Sequence, residues 1–90
     1  MPSKYGEIRA STQHALIEFL QAELHIGATF VQSARLASSD GHTDHYVQAK
    51  VNSLKAIESV KRLMPRVTDV QVRQEIQNRF EELERLVSAL

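Results

Sequence analysis

Apolar residues recur at three- and four-residue intervals through LIEFLQAELHIGATF, residues 16–30. At 100° per residue, Leu16, Phe19, Leu20, Ile26, Gly27, Phe30, Val31, Ala34 and Ala37 share one broad face, which predicts an amphipathic helix. A narrower seam of Tyr46, Ala49, Ser53, Ala56, Ile57, Val60, Leu63 and Met64 predicts a second helix. Its small members Ala49, Ser53 and Ala56 would let neighbours approach closely. Val72, Ile76, Leu83, Leu86, Val87 and Leu90, with Phe80 on the flank, predict a third.

Turn chemistry separates these stretches. DGHTD at 40–44 offers Gly41 for a left-handed helix end and Thr43 as the next cap. Pro65 pushes the residue before it out of the α region and ends the second helix. In VTDVQV, Thr68 and Gln71 have the spacing of a capping box, and Val67 and Val72 that of a hydrophobic staple. The helices are expected at about 11–39, 43–64 and 69–89, and the first could begin near Ser3. Residues 1–10 are then an N-terminal extension or the start of helix one, and 11–90 form a single domain. Short connections make neighbours antiparallel. The expected fold is all-α: an up-down-up three-helix bundle with a long first helix.

Two charges interrupt the seams. Glu23 lies on the Leu16–Phe30–Ala37 line of helix one, and Arg79 on the Val72–Ile76–Leu83 line of helix three. With the turns as mirror points, Gly27, Ser53 and Arg79 fall in one layer, with Glu23 a turn away and Lys61 as a second cation. The leading expectation is a buried Glu23–Arg79 strut, with the guanidinium filling the space left by Gly27 and Ser53. The other is a small-molecule or anion-binding cleft centred on Glu23, Arg79, Lys61 and Ser53.

Apolar positions are also in surplus. Ile17 and Leu24 at the edge of helix one, and Val47, Val51 and Leu54 on helix two, form a strip that helix three could cover. Otherwise a second copy or a partner helix would dock there by a twofold arrangement.

Composition narrows the chemistry. Ninety residues with 42% hydrophobic and 24% charged residues suit one soluble domain with its own core. Cysteine is absent, which excludes disulfides, thiolate metal sites and cysteine nucleophiles. MPSKYGEIRAST has no apolar run, so no signal peptide is expected, and no stretch approaches the ~20 apolar residues of a membrane span. The expected setting is the cytoplasm.

The formal net charge is zero, but residues 45–66 carry Lys50, Lys55, Lys61, Arg62 and Arg66 against Glu58 alone. Lys55, Arg62 and Arg66 form a ridge whose field is weaker than that of most nucleic-acid proteins, so nucleic acid is not the expected partner. His14 and His25 are three turns apart, and His42, Asp44 and His45 lack a further good ligand. No metal, cofactor or catalytic group is expected.

The run ARLASSDG followed by DHYVQAKVNSLKAIESV is similar in hairpin length and alanine spacing to tetratricopeptide-like hairpins and to microtubule-interacting-and-transport domains. The resemblance spans about residues 28–64, implies a protein-interaction module and carries over no site residue. The expected function is a non-enzymatic interaction or assembly module whose partner is a protein, by self-association or through a partner helix.

Overall fold

The computed structural model describes the backbone of residues 4–90 and the side chains of residues 12–90. Among the described residues it is all-α, with three α-helices and no strand. Helix α1 runs Lys4–Ser39, α2 Thr43–Leu63 and α3 Val70–Ser88, and a 3-10 turn, Met64–Arg66, follows α2. The 36 residues of α1 rise about 54 Å at 1.5 Å each, against a longest molecular extent of 61 Å. The start expected within residues 1–10 thus falls at Lys4; residues 1–3 lie outside the described residues.

The connections follow from local chemistry. Gly41 adopts φ +75°, the left-handed conformation that costs glycine nothing. It donates to Ser38 O at 3.3 Å while His42 donates to Ala37 O at 2.8 Å, which closes a Schellman motif. The expected cap at Thr43 is one residue late: His42 is the N-cap of α2 and makes no side-chain bond there. At the second connection the cap is Asp69, not Thr68. Asp69 Oδ1 accepts from Val72 N at 3.0 Å.

Thr68 is occupied elsewhere. Its N–H and hydroxyl both donate to Gln13 Oε1, at 3.0 and 3.2 Å, while Gln13 Nε2 donates to Arg66 O at 2.9 Å. The capping-box pattern read the right turn and missed this clasp from α1, which takes Thr68 out of the cap. Asp69→Ala should cost about 1 kcal/mol in urea unfolding, since Val72 N–H would lose its acceptor; Thr68→Ala should cost less.

Level residues fix the helix directions. Gln13 of α1 meets the residues just beyond the end of α2, and a Cβ on Gly27 would stand 3.2 Å from Ala56 Cβ. Tyr46, at the start of α2, donates its hydroxyl to Leu90 O beyond the end of α3. Helix α2 therefore runs against both α1 and α3.

The core is one cluster. Leu20, Leu24 and Val31 from α1, Val60 from α2, Met64 and Val67 from the connection, and Ile76, Phe80, Leu83 and Val87 from α3 are all buried. The α2 seam matches the sequence pattern, α3 matches it with Phe80 buried and Arg79 exposed, and the α1 seam matches in part. It runs Leu20–Leu24–Gly27–Val31–Ala34, whereas Phe19 and Ile26 stay 43% and 42% exposed. Ala49, Ser53 and Ala56 on α2 face this side, and small residues pack helices closely only against other small residues. Gly27 and Ala34 therefore take the contact line, and the large side chains turn aside.

Candidate interaction surface

The structure does not assemble the polar cluster expected from the sequence. Arg79 is exposed on α3, beside Leu24, His25 and Ala28 of α1, in an open cleft of about 350 Å³. Glu23 is half-buried on the other flank of α1, a quarter turn or more round from Leu24 and Ala28. Among the described residues Glu82 pairs with Arg85 and His14 Nε2 lies 2.9 Å from Glu18 Oε1, and neither Glu23 nor Arg79 has such a partner. Lys61 is exposed on α2.

Ser53 is buried, but its hydroxyl donates to Lys50 O at 2.7 Å within its own helix. The gap assigned to Arg79 is already filled. A Cβ on Gly27 would lie 2.7 Å from Leu83 Cδ2, so leucine, not a guanidinium, packs over the glycine. Level arithmetic placed these groups correctly along the axis and wrongly around it. Arg79→Met should therefore change the unfolding free energy by no more than about 0.5 kcal/mol, as exposed substitutions do.

In the same α1–α3 cleft, Arg85 Nε donates to Glu82 Oε2 at 3.0 Å and holds the Glu82 carboxyl below the usual carboxylate range. Both groups are fully exposed, so the pair marks no site. His42 and His45 stack edge-to-face with ring centroids 5.7 Å apart. Among the described residues no group of three or more His, Cys, Asp or Glu could hold a metal, and no helix is long and apolar enough to cross a membrane.

The expected interface strip is divided by the fold. Leu24 is 3% exposed and part of the core, so it is not available to a partner, and Ile17 packs half-buried against that core. Leu24 lies beside α3, on the flank of α1 that α3 covers. Val47, Val51 and Leu54 remain exposed on the outer side of α2, at 51%, 39% and 47%.

A larger apolar face lies where the sequence pattern had expected core. Phe19, Ile26 and half-buried Phe30 follow one another along the flank of α1 that α3 does not cover, with Glu23 among them. On the α2 side lie half-buried Asn52 and Ser59, and the exposed Lys55 and Arg62 follow each of them by three residues, at the rim next to the outer strip. At one end the groove deepens into a hollow of about 420 Å³ between Phe30, Ser33 and Ala37 on α1 and His45, Ala49 and Asn52 on α2. The sequence signal for this face was the excess of large apolar residues over what one helix flank can bury. Comparison with known protein families, with curated proteins and with solved structures found no match.

Proposed function

We propose that this chain is a non-enzymatic helical interaction module whose working surface is the groove between α1 and α2. The observation that supports this most directly is the open apolar row Phe19–Ile26–Phe30, lying beside a hydrogen-bonding and basic wall. Keeping such a row in water forgoes about 25 cal/mol for each Å² left uncovered, a cost that a partner helix removes on docking. The groove brings together apolar, amide, hydroxyl and cationic groups, a composition suited to holding a helix. The proposed setting is the cytoplasm.

The test is site-specific photo-crosslinking in the producing cells, with a photoreactive phenylalanine analogue placed in turn at Ser33, Val51 and Asn78. Protein adducts are expected from Ser33, in the groove. Adducts from Val51 alone would move the working face to the outer strip of α2, and adducts from Asn78 alone would move it to the α1–α3 cleft. A protein that forms none from any position is not an interaction module.

A further inference from the structure

We infer that the groove is built for α1 of a second copy of this chain, so that the module pairs with itself through a twofold axis. This rests on the interaction reading above and names the occupant. The argument begins with charge. Between residues 12 and 34, α1 contains Glu18 and Glu23 and no Lys or Arg. At the outer rim of the groove α2 carries the exposed Lys55 and Arg62, and neither forms an ion pair among the described residues. A net-negative, apolar-faced stretch of helix is what these cations complement, and residues 12–34 of α1 are such a stretch within a helix that is otherwise balanced by Lys4, Arg9 and Arg35.

Side-chain size points the same way. Beside its core seam, α1 carries a second row at three- and four-residue spacing, Ala15, Phe19, Ala22, Ile26, Thr29 and Ser33, in which small residues separate the large ones. None of the six is buried, and Ser33 lines the hollow beside Phe30. A twofold axis perpendicular to α1 makes the two copies antiparallel. With the axis near residue 24, Phe19 meets Thr29 of the second copy and Ile26 meets Ala22 of the second copy. Every large side chain then faces a small one, on both sides of the axis at once.

The same register places the charges. Gly27 is level with Ala56, so Glu18 of the second copy comes level with Ser53, about half a turn from Lys55. Among the described residues Glu18 contacts the exposed His14, and it can exchange that contact for the ammonium group. Glu23 carries the opposite sign of effect: near the axis it brings two carboxylates toward one another and limits the affinity.

The experiment is sedimentation of the full chain from micromolar to near-millimolar concentration, with helicity followed by circular dichroism. The wild type is expected to pass from 10.2 kDa to twice that mass, with a dissociation constant on the order of micromolar. Ile26→Asp should stay monomeric and fully helical, because that side chain is already exposed in the monomer. Lys55→Glu should weaken the dimer about tenfold, and adding Glu18→Lys to it should restore most of the loss. Glu23→Gln should tighten the dimer several-fold.

A wild type that remains at 10.2 kDa throughout overturns the inference, as does a dimer indifferent to Ile26→Asp. Absence of charge-swap rescue, or a weaker dimer with Glu23→Gln, overturns the register. A monomer that still gives Ser33 adducts with a different protein would leave the interaction reading standing and remove the second copy from it.

Discussion

Leu20→Ala should lower the unfolding free energy by about 3–4 kcal/mol. Leu20 is completely buried where α1 meets the core. Truncation removes three carbons of transfer free energy and leaves a void that the surrounding helices fill only in part. A domain of this size has roughly 5–10 kcal/mol in total, so the variant would keep about half its stability or less. The measurement is urea unfolding at matched protein concentration. The midpoint should fall with an unchanged slope; a loss below about 1 kcal/mol would mean that the site collapses around alanine and that the core is less tightly packed than its burial implies.

Gly27→Leu is the second large effect, and Gly27→Ala is its internal control. A Cβ at this position lies 2.7 Å from Leu83 Cδ2 and 3.2 Å from Ala56 Cβ. Leu83 ends in a movable methyl, whereas Ala56 can yield only by moving α2. Alanine should therefore be close to neutral, with up to about 1 kcal/mol of helix propensity gained and a similar amount lost to crowding. Leucine has to separate α1 from α2 or displace Leu83. The net cost should be about 2–3 kcal/mol despite its better propensity. If both variants unfolded at the wild-type midpoint, close packing at the glycine would not be what sets the rotation of α1.

That rotation marks the boundary of what the sequence made legible. On α2 and α3 the apolar residues are just enough for one face, so 3.6-residue periodicity alone identifies Ala56 and Val60, or Ile76 and Leu83, as core. Helix α1 has more than one face can bury. Phe19, Ile26 and Phe30 fall on the same broad face as Leu20 and Val31, with Leu24 at its edge, and periodicity alone does not divide that face into a buried and an open part. The choice falls to a tertiary contact, the Gly27–Ala56 approach. With α1 turned that way Glu23 lies on the open flank, and α3 for its part buries Phe80 and leaves Arg79 exposed. The strut and the anion cleft needed both side chains turned toward the shared interior, which neither helix does. What survives from the sequence is the surplus itself: too many apolar residues for three helices to cover. Its place in the fold had to come from the structure.

The brevity of the two connections bears on the order of events. Residues 40–42 join α1 to α2, and 67–69 lead from the 3-10 turn into α3, so most native contacts are near in sequence. Bundles of such low contact order fold in microseconds to milliseconds. Encounter between proteins at about 10⁵–10⁷ M⁻¹s⁻¹ is slower than that at micromolar concentration. Each chain thus finishes its own groove before meeting anything that could fill it. The pairing proposed above would then be docking between folded surfaces, and its kinetics should be a single concentration-dependent phase without a folding step behind it.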